Sequence, residues 1–500
     1  MLIKNNSSKK SIVVIEYKKQ LNNIKEVKLK KLVLIIYSIL IAGCSSLNTS
    51  DKNTKLFDDL SLKENESKEY IKQYNNTLTL DTALKISVER NLDLKTKAIE
   101  EEIAKLDKRI AFGNFLPKIS LGYSYTMLNN KVMGEALDTG IPASPIFPTT
   151  LEGRLLDKSF SFFNVNAQMP IFVPATWFLY NARQKGENIS ALTRDLTEKM
   201  IKLQTIGEYY YILALESERE YLSKELASAQ ELNKNAKVAL ETQSILKWEY
   251  EGTEQMVKMK EHALNQNERD LQSAKMSLMN NLDLYPFLDV QLEKPSPFSD
   301  SNISMEEAVY ESLKNSDLVK IGDTAADMSG DAVKIAITNF LPKIVLTGGY
   351  INTSNAALAD PDFFMGTLGG FFSIFNGFQN VNEYKKARKN QEIAFIKREQ
   401  EIMKVIFETV NAYNALESSK EERDIASKNY NVNKGRFEQK KVEKEVGAID
   451  NWEYIKAIAD YEQALSIKEK TEYKYQISLS SLNMLMGKSI FTKGEKVYEK

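Results

Sequence analysis

Two hydrophobic periods follow one another along this chain. The segment 80–113 is rich in Leu, Ala, Lys and Glu and holds no proline, which predicts a helix. After Pro117 the period falls to two. Ile119, Leu121, Tyr123, Tyr125 and Met127 alternate with Ser120, Gly122, Ser124 and Thr126, which predicts a half-buried strand over about 118–128. A loop containing Gly and Pro follows. Phe163, Val165, Ala167, Met169 and Ile171 then alternate with Asn164, Asn166 and Gln168, a second strand over about 159–172. From Thr176 to Val238 there is again no proline, and Ile189, Leu192, Leu196, Met200, Leu203, Ile206, Tyr210 and Leu213 recur at spacings of three and four. That seam predicts a helix of about 95 Å, followed by a return helix. Helices this polar do not span a bilayer, so they are expected to stand in water and pack on one another.

The same order recurs. The hexapeptide "NFLPKI" occurs at Asn114–Ile119 and at Asn339–Ile344, 225 residues apart. At that offset, residues 110–125 match 335–350 at ten of sixteen positions. "WEY" at Trp248 and Trp452 is offset by 204, and "ALES" at Ala214 and Ala415 by 201. The second half therefore predicts strands over about 343–352 and 366–376, and a long helix from about Gln379 to Glu438. Proline disfavours the helical region for the residue before it, so Pro117 and Pro342 are read as the joints where helix becomes strand. The fold class is α+β, a duplicated helix–strand–strand–helix–helix unit. The first repeat covers 78–295 and the second 296–490. A flexible segment over 44–77 precedes them and a polar tail over 491–500 follows.

The beginning of the chain differs. Residues 1–43 hold nine Lys and two Glu, a local charge of +7. With the net charge at −1, the remainder carries −8, which argues against a nucleic-acid partner. "KLKKLVLIIYSILIAGCSS" has a basic start, an apolar run from Leu32 to Ile41 too short for a permanent span, small residues and then Cys44. It fits a secretory signal peptide over 1–43. "IAGC" also resembles a bacterial lipobox, which implies cleavage before Cys44 and acylation of that cysteine. Ser45 is compatible with sorting to the outer membrane. An ordinary buried cysteine or an uncleaved anchor is the competing reading.

Cys44 and His262 are the only residues of their kinds. One chain can build neither a Cys/His zinc cluster nor an internal disulfide. His262 lies in the polar helical run "KEHALNQNERD", where a solvated side chain is the simpler reading than a catalytic one. No Walker or Rossmann string is present. No enzyme activity, cofactor or metal is expected, and the 15 scattered Met do not suggest a copper path.

Strands apolar on one face and small or polar on the other suit a membrane barrel, lipid outside and lumen inside, as well as a soluble sandwich. Four strands cannot close a barrel, and an open edge in lipid leaves backbone groups unsatisfied. In a membrane, several copies would have to share one barrel.

The chain resembles the TolC-like outer-membrane efflux protein family, in its lipoprotein branch, over about 78–490. The resemblance rests on the repeated unit, on "NFLPKI" twice, on "PIF" and "SIFNG" at the ends of the return strands, on "VGAIDNWEY" at the last long turn and on "LNMLMGKS" near the end. It implies a homotrimer with a twelve-stranded outer-membrane β-barrel, which contacts outer-membrane lipid, and a long periplasmic α-helical barrel. It further implies a passive conduit, for efflux or type I secretion, docked to a periplasmic adaptor and an inner-membrane pump. Val446, Gly447 and Ala448 match the family's periplasmic tip, where the adaptor docks. The charged run "RFEQKKVEKEV" before them departs from the usual spacing. Glu453 falls on the first acidic position of the pore constriction, Lys456 replaces the second, and Glu249 is the repeat-related equivalent of Glu453. Three Glu453 carboxylates would favour cations, unless Glu453 is solvated or paired with a neighbouring Lys. Phe115, Phe172, Trp177, Phe178, Phe340 and Phe375 sit near strand ends, as an interfacial girdle or as packing at the junction. The other functional class the pattern permits is a lipid-anchored periplasmic coiled-coil scaffold without channel activity.

Overall fold

The computed structural model describes residues 52–134, 137–138, 150–151, 154–296, 303–356, 358, 360 and 361–488. The predicted signal segment, Cys44 and the tail over 491–500 lie outside them. The chain divides into two units, 1–65 and 66–500. Helix α1 (Lys52–Lys72) crosses that boundary, where a flexible segment was expected. Its end is ordered by burial: Ile71 joins the core of the larger unit, and the chain then forms strand β1 (Thr77–Leu78).

The predicted first helix is two helices, α2 (Leu80–Arg90) and α3 (Leu92–Phe112). Asn91 breaks them apart in an extended conformation, and its Oδ1 accepts from the amides of Asp93 and Leu94. Such a side chain caps a new helix better than it continues an old one. Strand β2 (Lys118–Met127) follows. The expected loop after it is a continued hairpin: β3 (Val132–Met133), β4 (Leu137–Asp138), β5 (Thr150–Leu151) and β6 (Arg154–Leu156) pair in nested order and lead to β7 (Ser159–Phe172). Then come α4 (Ala175–Glu241), the return helix α5 (Lys247–Asn281) and β8 (Gln291–Leu292), which pairs in parallel with β1.

The second repeat has α6 (Met305–Asn315) and α7 (Asp317–Thr338), broken at Ser316 as the first is at Asn91, 225 residues earlier. Strand β9 (Lys343–Thr353) and strand β10 (Asp362–Phe371) form its hairpin. β10 lies about four residues earlier than the predicted 366–376. It ends at Phe371 because its ladder ends there: Phe371 pairs with Lys343, the first residue of β9. Helices α8 (Gln379–Glu445) and α9 (Asn451–Leu485) complete the unit.

Both long helices have 67 residues and both return helices 35, with every boundary offset by 204. The "ALES" echo at 201 is therefore three residues out of structural register. It is a coincidence of composition, whereas "WEY" at 204 is a true equivalence. The main core surrounds α4, where Ile206, Tyr209, Tyr210 and Leu213 are buried against α2, β1 and the segment that ends in β8. Tyr209 Oη lies 2.7 Å from the Leu78 carbonyl and 2.6 Å from the Glu293 carbonyl, so one phenol ties β1 and β8 to the long helix. The upper part of the predicted seam is not closed in the same way. Met200 is exposed, and no element among the described residues covers it.

Candidate functional site

The main sheet is antiparallel in the order β10-β9-β7-β2. Its outer strands each have one edge with no partner among the described residues. Register places Tyr123 beside Phe163 and Tyr350 beside Phe364, and the Phe163 and Tyr350 rings are 6.5 Å apart, so an aromatic row crosses all four strands on one face. That face is bare. On β2, Ile119, Leu121, Tyr123, Tyr125 and Met127 are between 59% and 76% exposed. A soluble sandwich would bury such a face against a second sheet, and none covers it among the described residues. On the opposite face a polar, close-fitted middle is flanked by Phe160, Phe162, Ile351, Phe363 and Met365. Asn164 lies opposite Gly122 and Asn166 opposite Gly349. A Cβ on Gly349 would fall 2.7 Å from the Asn166 side chain and 2.8 Å from the Val165 carbonyl. The glycines make room for a row of amides, a signal present in the sequence as "LGY" and "GGY" but read there only as small residues.

Both prolines stand where helix becomes strand. In the first repeat a 3-10 turn over Gly113–Phe115 ends α3, Leu116 is extended, and β2 begins directly after Pro117. In the second, turn bonds carry the chain through Leu341, and β9 begins directly after Pro342. At the first joint Phe115 packs edge-on against Trp177 at 5.9 Å and Tyr180 at 6.3 Å, and Phe172 lies 6.1 Å from Trp177. Phe375 packs on Phe378 at 5.3 Å in the second. Of the six aromatics singled out, these make packed junctions.

At the other end of the long helices the two turns share one geometry. The Gly447 amide donates to Lys444 O at 3.1 Å and the Ala448 amide to Glu443 O at 2.8 Å. The Gln243 amide donates to Leu240 O at 3.0 Å and the Ser244 amide to Ala239 O at 2.8 Å. Both are Schellman turns, which need a left-handed residue. Gly447 has φ 73° and Gln243 has φ 56°. The missing glycine thus changes the strain of the first turn and not its path. Val446, Gly447 and Ala448 are all exposed, and so are Leu246 and Trp248 at the first turn. The arms also match in length, with long helices of 67 residues and return helices of 35 in both.

The repeat-related carboxylates have different duties. Glu249 Oε2 accepts from the Leu246 amide at 2.7 Å and caps its own helix. The corresponding cap in the second arm is Asp450, which accepts from the Glu453 amide at 2.7 Å. Glu453 is thereby released from capping. It is half-exposed, 4.0 Å from Lys440 Nζ, in a groove of about 450 Å³ lined also by Arg436, Trp452 and Asp460. Lys456 is neutralised by Asp460 at 2.7 Å, one turn further on. Lys440 is held above the usual lysine range by its hydrogen bond to Glu443, with Glu453 contributing less. No group of His, Cys, Asp and Glu suited to a metal occurs among the described residues, and no described helix is long and apolar enough to cross a membrane.

A half-bare four-stranded sheet carried on long paired helices is the fold of outer-membrane channels. The chain superimposes on the Campylobacter jejuni CmeC outer membrane channel with a TM-score of 0.67, at 17% identity, covering 82% of this chain and 85% of that one. For the Vibrio cholerae outer membrane protein VceC the values are 0.64, 11%, 82% and 97%. For the Neisseria gonorrhoeae MtrE outer membrane channel in its open state they are 0.59, 15%, 82% and 89%. Within that class, residues 308–488, almost the whole second repeat, match the outer membrane efflux protein family. The resemblance to outer-membrane efflux proteins drawn from the sequence therefore holds at the level of the family. A search of curated protein sequences found no match.

Proposed function

We propose that this chain is the outer-membrane conduit of a tripartite efflux or type I secretion system, and that three copies form it. The observation that carries the reading is the open, one-sided sheet. Four antiparallel strands with an apolar face in lipid leave two unpaired edges, each costing several kcal/mol for every unsatisfied backbone group (about that range). Joining β2 of one copy to β10 of the next removes both edges, and three copies give twelve strands. The face with Asn164 and Asn166 then lines the lumen. The long helices continue the wall for about 100 Å into the periplasm. The conduit itself is passive, and an inner-membrane pump and a periplasmic adaptor supply energy and cargo.

Cys44 is the proposed lipid anchor, and the exposed tip at Val446–Ala448 the proposed docking point for the adaptor. The proposed constriction rests on Glu453 more than on Glu249, whose carboxylate already serves as a cap. Reconstitution in planar bilayers tests the reading. The protein should conduct, and Glu453→Ala should lower cation selectivity, more so at low salt. Absence of conductance from a folded, lipid-anchored protein would favour the scaffold. Unchanged selectivity in the variant would remove Glu453 from the constriction.

A further inference from the structure

The end of a return helix meets a helix break twice in this chain, and the two junctions are filled differently. In the first repeat the end of α5 meets the break at Asn91, against α4. Side chains close the gap there. Asn91 Nδ2 donates to Asn281 O and Oδ1, both at 3.0 Å. Asn281 Nδ2 donates in turn to Thr205 Oγ1 and Glu208 Oε2, both at 3.0 Å. Ser277 Oγ and Gln204 Nε2 donate to Glu208 Oε1 at 2.9 and 3.0 Å. Asn91 and Asn281 are buried. Two amides and a carboxylate, each with partners, form a plug, and the groove beside Glu208 is only about 290 Å³.

The second repeat keeps the backbone and loses the plug. At the offsets of 204 and 225 that relate the repeats, Asn281 becomes Leu485, Glu208 becomes Ala412 and Asn91 becomes Ser316. Beside them Tyr211 becomes Ala415. Thr205 is kept as Thr409, whose hydroxyl donates to Val405 O of its own helix at 2.7 Å. What remains is a cavity of about 600 Å³ between α4, α7, α8 and α9. Small-molecule sites range over about 300–1,000 Å³. Leu196 and Met200 of α4, Leu318 of α7, Val405 of α8, and Met484 and Leu485 of α9 supply its apolar wall.

The charge of the lining also changes. Gln204, which served the plug, becomes Glu408, a carboxylate on the cavity. The other lining charges are engaged. Asp317 is paired with both Lys199 and Lys320. Lys404, one turn from Glu408, lies 3.9 Å from Glu401 instead. Glu408 has no hydrogen bond or ion pair among the described residues.

We propose that this cavity is a binding site for a small organic cation, an apolar body bearing one protonated amine. The amine donates to Glu408, and the body takes the space that Asn281 and Glu208 fill in the first repeat. The ligand then bridges α4, α8 and α9, as the plug bridges its own helices. Every lining residue comes from one copy. The site is therefore independent of the conduit reading, which needs no ligand in the wall.

Dansylcadaverine, a fluorescent ring system with one primary amine, tests this on the full-length protein in nanodiscs of zwitterionic lipid, against empty nanodiscs. Its fluorescence should saturate at one probe per chain, and the thermal midpoint should rise with probe concentration. Glu408→Gln installs the first-repeat residue and should weaken binding about ten-fold or more. The N-acetylated probe carries no charge. It should bind the native protein about as weakly as the amine binds Glu408→Gln. Ala412→Gln/Leu485→Asn, a neutral rebuilding of the plug, should abolish binding. Binding that does not saturate, or that is equal in the native protein and Glu408→Gln, overturns the proposal whether or not the double variant folds. Conductance without binding overturns the site and leaves the conduit standing. Saturable, Glu408-dependent binding without conductance does the reverse.

Discussion

The two arms that end in the exposed turns differ in what holds them together, although they agree in length. Along the α8–α9 arm an aromatic ladder runs between the helices. Phe437 stacks on Tyr461 at 5.1 Å and on Tyr454 at 6.3 Å, and Tyr461 meets Tyr430 through hydroxyls 3.1 Å apart. That bond, followed by burial, pushes Tyr461 up to about 12. At the equivalent positions 204 residues earlier the α4–α5 arm has Leu226, Asn233, Tyr250 and Val257, and the contact there is a Thr253–Asn233 hydrogen bond of 2.8 Å. At this height one arm is fastened by ring stacking, and the other by a small polar pair with the Lys260–Glu225 ion pair of 2.7 Å beyond it. Duplication has kept helix length and turn path, the features that set where the arm ends. The side chains that set how firmly its two helices adhere have diverged.

The largest effect should come from removing the centre of the ladder. Phe437→Ala takes away two ring contacts and the apolar burial they carry, at about 2–3 kcal/mol. Asn233→Ala at the matched position removes one hydrogen bond, at about 1 kcal/mol. Hydrogen exchange of the full-length protein in detergent should show faster opening of the α8–α9 arm in the first variant and a smaller change in the α4–α5 arm in the second. Equal changes would mean that the ladder does not set the firmness of its arm.

A smaller effect separates the turns. Gly447 is left-handed at no steric cost, whereas Gln243 bears the cost of a Cβ in the same conformation. Gly447→Ala should therefore destabilise its arm by about 1 kcal/mol or slightly more, and Gln243→Gly should stabilise the other by a similar or smaller amount. Proteolytic nicking at the two turns measures both, and the prediction fails if the two substitutions shift it in the same direction.

These contrasts show which features the sequence made legible. Period and punctuation carried the architecture: the alternation from Ile119 to Met127, Pro117 and Pro342, and the proline-free runs that became α4 and α8. The features not legible were those whose cause lies in a partner element. The end of β10 is set by where β9 begins, and the double phenylalanines around it have no period of their own. The helix breaks at Asn91 and Ser316 were legible in principle, since each is a capping residue followed by an acidic first turn, but an unbroken polar-apolar pattern on both sides concealed them. At the candidate constriction the sequence placed Glu249 and Glu453 as equals. Only the fold shows one serving as a cap while Asp450 performs that duty for the other.

The smallest predicted effect concerns a contact between the arms. Glu462 on α9 has its carboxyl held above the usual range, first by burial and then by the Glu220 carboxylate on α4, with Lys224 opposing. Lys224 is itself engaged by Glu220 at 3.0 Å, so it compensates Glu462 only in part. A carboxyl whose pKa is raised on folding favours the folded state while protonated. That contribution is present below the ordinary carboxylate pKa and is lost as pH rises through the raised value. At neutral pH the contact is therefore at its least favourable. Glu462→Gln removes the charge with little change of shape and should raise the thermal midpoint at pH 7.5, by the equivalent of less than about 1 kcal/mol for a partly exposed pair. Near pH 4 the native side chain takes up a proton and the advantage should shrink towards zero. An advantage that grew on acidification would show that Glu462 is stabilised by Lys224 more than it is opposed by Glu220. The two arms would then be joined by attraction at this height, and not held slightly apart.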